Sequence, residues 1–289
     1  MDETPVVQKR ELISVSDLLD QSWRLFVTKL FSLVELALLQ LGLVVLIVAL
    51  AIGGVFVFLF FKTELIYFEC YAIVALCLIL LIYYFMLRAQ ISLMLAAASI
   101  ERKSFREYFS LSKGKPGGFF WLLIFQGLAI AGGYVLLLIP GIIIAITSSF
   151  CIWIYVLEGP RGLEAIQRSR LYAHNRIWGI IGRTLLLGLI VGAIGEGLQL
   201  VTAKSVIASG ILGVFYNFLA GAFSICYSYL LYKSASETYD QSFMPKLWYL
   251  KLLIAISSLL ILCLVAALGY FLFSRYLPPG FLQSFFGFK

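Results

Sequence analysis

The sequence predicts an all-α fold: a polytopic transmembrane helical bundle of about seven spans, with short cytoplasmic amphipathic helices and a candidate parallel internal repeat. Three observations predict it. Of 289 residues, 62% are hydrophobic and only 13% charged, with a mean hydropathy of +1.00, whereas a soluble domain is about half apolar and roughly a quarter charged. Seven stretches supply the ~20 mostly apolar residues that a spanning helix needs. Basic residues gather on alternate connections, as an odd number of crossings would place them. A soluble globular protein is excluded.

The elements follow in chain order. Residues 1–30 read as a cytoplasmic N-terminal segment in which Ser16-Asp17 caps a helix with Leu18, Leu19, Trp23 and Phe26 on one face and Asp20, Gln21 and Arg24 elsewhere. The transmembrane domain runs over 31–273, with spans at about 31–61, 66–87, 119–138, 141–157, 177–198, 206–231 and 247–273. The first apolar run is too long for a signal-peptide core and is expected to remain in the mature protein. Ser104 caps a short stretch through Phe109, and Gly162 opens another through Arg168; both read equally well as interfacial helices or as packed linkers. Residues 274–289 form a short outer tail.

The third and fourth spans are joined only by Leu138-Ile139-Pro140-Gly141. Proline lacks a backbone donor and glycine permits sharp reversal, so Pro140 and Gly141 are expected to break the chain into a hairpin. One helix from 119 to 157 would instead be near 58 Å, too long for a hydrocarbon core of about 30 Å. Whether both arms cross fully or re-enter stays open.

Eighteen of the 22 Lys and Arg residues fall on one side of this topology; only Lys62, Lys204, Arg275 and Lys289 fall on the other. The N-terminus is therefore expected in the cytoplasm and the C-terminus outside. The formal +7 charge reads as orientation and contact with anionic headgroups, and no nucleic-acid partner is expected. Candidate headgroup contacts are Arg102, Lys103, Arg106, Lys113, Lys115, Arg168, Arg170 and Arg176. The five cysteines, Cys70, Cys77, Cys151, Cys226 and Cys263, lack metal spacing and read as packing residues. Cys70 and Cys77 stand about 10 Å apart along one helix, too far to bridge.

Two halves of the chain resemble each other. Leu19-Asp20-Gln21-Ser22 and Lys29-Leu30-Phe31 align with Ile166-Gln167-Arg168-Ser169 and Arg176-Ile177-Trp178. In a slightly different register, Tyr84 and Arg88 align with Tyr229 and Lys233. Both halves enter from the same side, so the repeat would be parallel, about an axis along the membrane normal.

Four intramembrane polar positions are candidates for function: Glu35, Arg183, Glu196 and Asn217. Charge in lipid is costly and calls for a partner. Glu35 and Arg183 lie at similar depth and are expected to pair, the alternative being that Arg183 snorkels to phosphate and Glu35 reaches the interface. Glu196, about 29 Å of rise beyond Ile177 and flanked by Gly195 and Gly197, is expected to end its helix. Thr184, Gly188, Gly192 and Glu196 recur at four-residue steps, as do Ser209, Gly213, Asn217 and Gly221. Such small-residue stripes read first as a close contact between sequential helices, with Asn217 bonding across it; the other reading is a polar seam that accepts a ligand or headgroup.

No catalytic, cofactor or metal site is expected. Lys113-Gly114-Lys115-Pro116-Gly117-Gly118 superficially resembles a phosphate loop, but lacks its spacing and reads as a basic turn. His174 is the only histidine, and neither HExxH nor GxSxG occurs.

The stretch Ile139-Pro140-Gly141-Ile142, then Glu158-Gly159-Pro160-Arg161-Gly162 and Leu163-Glu164-Ala165-Ile166-Gln167-Arg168-Ser169, resembles a family of bacterial inner-membrane proteins related to the membrane domain of glycerophosphoryl diester phosphodiesterases. That family shows a PG break, an apolar run, an acidic residue with glycine, then an Ala-x-x-x-Ser segment. Leu18-Leu19 through Ser22-Trp23-Arg24-Leu25-Phe26 is similar to its opening segment. The resemblance implies a multi-helix domain of the bacterial plasma membrane. Phosphodiesterase members carry catalysis in a separate soluble barrel, for which the residues after the last span leave no room. The expected role is accordingly non-catalytic: binding or organising membrane lipids, or serving a membrane-protein partner. A transporter of a small or lipid-like solute is the alternative, and a membrane-embedded enzyme comes third.

Overall fold

A computed structural model of the chain describes residues 12–60, 65–99, 101, 103–136, 138–202, 205–239 and 248–276; side chains at 57–60, 65–70, 136, 206–208, 211 and 272–276 lie outside that description. The described residues form helices and no strand: α1 Val15–Phe60, α2 Leu65–Ala98, α3 Phe105–Leu111, α4 Pro116–Leu136, α5 Leu138–Thr147, α6 Cys151–Leu157, α7 Leu163–Ala173, α8 Ile177–Thr202, α9 Val206–Thr238 and α10 Trp248–Tyr276. Seven segments of these are long and apolar enough to cross a membrane. The chain is an integral membrane protein.

The chain divides into two compact units, Met1–Leu123 with Ile146–Pro245, and Ile124–Ala145 with Lys246–Lys289. In the first unit α1 packs on α2 and α9, α8 on α9, α3 on α2, and α6 on α2 and α7. Its core lies toward the ends of the helices that carry the basic residues. Leu18, Ser22, Leu33 and Leu36 of α1, Ala89, Ile91 and Ala97 of α2, Ile154 of α6, Ile166 of α7 and Cys226 of α9 are all fully buried there. Toward the opposite ends the apolar side chains Val45, Val55, Leu80, Leu189, Val201 and Phe215 are exposed, as suits helices bathed in hydrocarbon.

The amphipathic segment and the first span are one uninterrupted helix of 46 residues, about 69 Å long at 1.5 Å per residue. No breaker separates them: from Val15 to Leu41 the sequence has neither Gly nor Pro, so the helix that Ser14 and Asp17 open has nothing to stop it. The second and sixth spans likewise run past the expected 87 and 231, to Ala98 and Thr238.

The fourth span, expected as one helix over 141–157, is two: α5 and α6, separated by a turn at 148–150. Ser169 of α7 mends the gap. Its hydroxyl donates to the Thr147 carbonyl at 2.7 Å and accepts from the Phe150 amide at 3.1 Å, with the side chain fully buried. Ala165, one turn earlier on the same face of α7, is also fully buried. The Ala-x-x-x-Ser pattern thus serves a structural purpose: a small residue for approach and a hydroxyl for two orphaned backbone groups. Ser169→Ala removes the hydroxyl from both groups, an expected loss of ~1–3 kcal/mol; a lowered thermal midpoint, with faster hydrogen exchange at the Phe150 amide, checks it.

The reversal before the fourth span differs in place from the expected Pro140-Gly141 break. Helix α5 already begins at Leu138, so Pro140 sits in its first turn, where a missing N–H leaves no intrahelical bond unmade. Gly141 serves approach instead: a Cβ there would come within 2.5 Å of the Tyr134 ring, and one on Gly133 within 2.8 Å of the Gly141 Cα. Residue 137, between α4 and α5 in the chain, lies outside the described residues. Further along the second unit, Gly132 faces the Leu253 carbonyl of α10, and the Ser257 hydroxyl reaches the Leu128 carbonyl at 2.6 Å.

Each long hairpin of the first unit carries the same clasp. Tyr71 of α2 lies on Gly54 of α1, 2.9 Å from where a Cβ would stand, and its hydroxyl donates to the Leu50 carbonyl. Tyr216 of α9 lies on Gly195 of α8, at 3.0 Å by the same measure, and donates to the Val191 carbonyl. In both, the acceptor stands one turn before the glycine. Tyr71 and Tyr216 also keep the register that aligns Tyr84 with Tyr229.

Candidate functional site

The small-residue seam of α8 and α9 is open rather than closed. An added Cβ at Gly188, Gly192, Gly213 or Gly221 would meet nothing within 4 Å. The two helices touch through the Tyr216 clasp on Gly195, and beside it lies a cavity of about 200 Å³ lined by Val191, Gly192, Gly195, Glu196, Leu198, Gln199, Thr202, Ser209, Gly213, Tyr216 and Asn217. A ring against glycine holds the backbones a ring's thickness apart, so the stripe cannot close as two glycine faces would. The cavity opens between helices whose flanking side chains are exposed.

This geometry corrects two expectations. Helix α8 continues through Glu196 to Thr202, because a lone glycine on either side lowers helix propensity without breaking an otherwise apolar run. Asn217 bonds within its own helix, its Nδ2 donating to the Gly213 carbonyl at 2.8 Å, rather than across to α8.

Glu35 and Arg183 do not pair. The Arg183 guanidinium is occupied by backbone carbonyls: Nε and Nη2 donate to Ile13 at 3.0 and 2.6 Å, Nη2 also to Leu12 at 3.3 Å, and Nη1 to Gly179 at 3.0 Å. The Ile13 amide donates in turn to Ser234 Oγ at 3.0 Å, so residues 12 and 13 are pinned to α8 and α9 ahead of α1. Carbonyls win over Glu35 because a planar fork of five donors matches several fixed acceptors at once. Glu35, half-buried on α1, has no hydrogen bond or ion pair among the described residues. Arg183→Leu is expected to release the pinned segment; limited proteolysis checks it, with cleavage near residues 12–14 rising several-fold.

The basic residues prove to be largely helix caps. Arg88 donates to the Phe109 carbonyl at 2.6 Å in the last turn of α3, with its Cζ 4.0 Å over the Phe109 ring. Lys115 donates to Val156 at 3.1 Å in the last turn of α6, and Arg176 to the final residue of α9, Thr238. Lys29, 3% exposed, donates to Glu101 O at 2.9 Å and Ser99 Oγ at 3.3 Å just beyond α2. Cations at helix C-termini satisfy orphan carbonyls and the negative dipole end together. Lys115, Arg168 and Arg176 each bond to the protein. Lys103, Arg106 and Lys113 keep side chains without a protein partner among the described residues, the latter two exposed. Burial lowers Arg170 from its ordinary pKa. Arg102 lies outside the described residues.

Glu158 is the polar centre that the intramembrane charges did not reveal. At the C-cap of α6, with its side chain 22% exposed, it accepts from Tyr172 of α7 at 2.9 and 3.1 Å, Tyr232 of α9 at 2.6 Å, and Arg168 Nη1 at 3.1 Å. Arg168 leans on Glu164 as well, at 3.5 Å. Burial raises the Tyr172 phenol above its usual pKa, as do its bond to Glu158 and that carboxylate's charge, so it stays a donor. Burial works to lower Arg168, but Glu158 and Glu164 raise it on balance. The Tyr232 ring stacks on Trp153 with centroids 6.2 Å apart, and Tyr172 meets Tyr239 at 4.9 Å. The arrangement joins α6, α7 and α9 at one carboxylate. The signal for it was the acidic residue with glycine in the family-like stretch.

Comparison with models of known families, with characterised proteins and with solved structures finds no match to this chain.

Proposed function

We propose that the protein is a non-catalytic lipid-binding component of its membrane. The observation that carries this reading is the cavity between α8 and α9: its partly polar lining lies between helices that expose Leu189, Ile194, Leu200 and Val201, apolar side chains suited to contact with lipid. Exposed tryptophans support headgroup contact at the basic ends of the helices. Trp23 of α1, Trp121 of α4, Trp178 of α8 and Trp248 of α10 are 56–84% exposed, the placement that suits interfacial anchors. Lys103, Arg106 and Lys113, without a protein partner among the described residues, are candidate cations for anionic headgroups there. In this reading the basic ends face the cytoplasm, with the N-terminus inside and the C-terminus outside, in a bacterial plasma membrane, as the family resemblance implies. No catalytic role is proposed.

The alternative, transport of a lipid-like solute, draws on the matched Tyr–Gly clasps, which favour a parallel repeat, and on the broken fourth span. Against it, the positions expected to line a mid-depth path are apart in their surroundings: Arg183 is held by Leu12 and Ile13, and Asn217 lines the lateral cavity. Native mass spectrometry of the gently extracted protein tests the choice. Retained phospholipid is expected; a bare monomer, or solute flux in proteoliposomes, counts against lipid binding as the primary role.

A further inference from the structure

We infer that the α8–α9 cavity seats the primary ammonium of a membrane lipid headgroup, an aminoethyl phospholipid, on Glu196, Gln199 and Asn217. This rests on the lipid-binding reading and adds the headgroup class. Glu196 and Gln199 are exposed to the cavity with no partner among the described residues. Asn217 gives one amide N–H to the Gly213 carbonyl, and its Oδ1 remains an acceptor. The hydroxyls of Tyr216 and Thr202 donate to the Val191 and Leu198 carbonyls, so they too offer oxygens inward. Among the described lining residues Glu196 gives the one formal charge, a negative one, and none is Lys or Arg; the acceptor oxygens stand around it.

A primary ammonium is the complement of such a lining: a compact positive charge with three donors and no acceptor. An anionic headgroup would meet the Glu196 carboxylate. A quaternary ammonium cannot donate and is recognised by a cage of aromatic faces, whereas the one ring in the lining, Tyr216, is already laid on Gly195. The volume of about 200 Å³ far exceeds the ~10–15 Å³ that one water needs, and a seat between two apolar helices leaves a lipid's acyl chains to the hydrocarbon. A carboxylate at the apolar boundary also calls for a partner, and a charge-assisted hydrogen bond from an ammonium supplies one.

The test uses the full chain in nanodiscs of equimolar phosphatidylethanolamine, phosphatidylcholine and phosphatidylglycerol with matched acyl chains, read by native mass spectrometry. Phosphatidylethanolamine is expected to be enriched roughly tenfold over the other two. Glu196→Gln should abolish the enrichment while other lipids are still retained. Gly213→Leu, placed where an added Cβ meets nothing within 4 Å, should fill the cavity and lose the enrichment in a chain that stays folded. Equal retention of the three lipids, or enrichment that survives either substitution, overturns the assignment. Displacement by soluble glycerophosphoethanolamine at the lipid's own concentration would give the seat to a soluble amine and overturn it too. Absence of any bound lipid would instead fail the broader lipid-binding reading.

Discussion

Gly132→Leu should be the most damaging single substitution in the second unit. A Cβ at this position would collide with the Leu253 carbonyl and lie 3.1 Å from Ser257 Oγ, and backbone on the α10 side cannot rotate away as a side chain can. The expected loss therefore exceeds the ~1–3 kcal/mol usual for overfilling a core, and the Ser257 bond to Leu128 at 2.6 Å would go with it. Gly127→Leu, five residues earlier on the same helix and facing open space, is the control. It should leave stability unchanged or slightly higher, since leucine favours helix over glycine by a few tenths of a kcal/mol or more. Thermal unfolding in detergent separates the two. Equal midpoints would mean that α4 and α10 do not approach through Gly132.

Glu158→Ala should come next. It removes the acceptor shared by Tyr172, Tyr232 and Arg168, and each polar group left without a partner costs ~1–3 kcal/mol, with the lower figure apt for Arg168, whose side chain is 45% exposed. A total of roughly 3–7 kcal/mol is expected if the losses add, with α7 released from α6 and α9. Glu158→Gln keeps an acceptor for the two phenols and loses only the ion pair, so it should cost much less. Emission from the buried Trp153, stacked against Tyr232, reports the change directly. A Gln variant as damaged as the Ala variant would show that charge, not the acceptor, holds the junction.

Much of this fold was legible because hydrocarbon imposes a simple rule: about 20 apolar residues per crossing, with all backbone groups bonded internally. All seven crossings lie where those runs lie. What the runs could not reveal is where helices continue beyond the bilayer. Helix α2 reaches Ala98 and α9 reaches Thr238 because the sequence past 87 and 231 has good helix propensity and no Gly or Pro to stop it, and hydropathy is blind to that. The α5–α6 break was equally invisible, since its mending hydroxyl comes from Ser169, far along the chain.

The site was legible in its residues and not in its geometry. Gly192, Glu196, Ser209, Gly213 and Asn217 stood out by their spacing, and all line the cavity. Spacing alone favoured a closed contact; the Tyr216 ring decides otherwise, and aromatic placement of that kind has no periodic signature. The pair expected of Glu35 and Arg183 failed because backbone carbonyls, which every residue carries, compete for arginine without leaving a trace in the sequence. The same holds for Arg88, Lys115 and Arg176 at helix ends.

The unbroken α1 has a mechanical corollary. Its Leu18, Ser22, Lys29, Leu33 and Leu36 are clamped in the core of the first unit, while Val44, Val48, Ile52 and Phe56 near its far end are exposed. A rod of about 69 Å held at one end cannot answer a thicker or thinner bilayer by sliding. Hydrophobic mismatch must then be relieved by tilt of the free end, and tilt there bears directly on the Tyr71 clasp. Bilayer thickness becomes a load applied at the tip of a lever whose fulcrum is the buried third of α1.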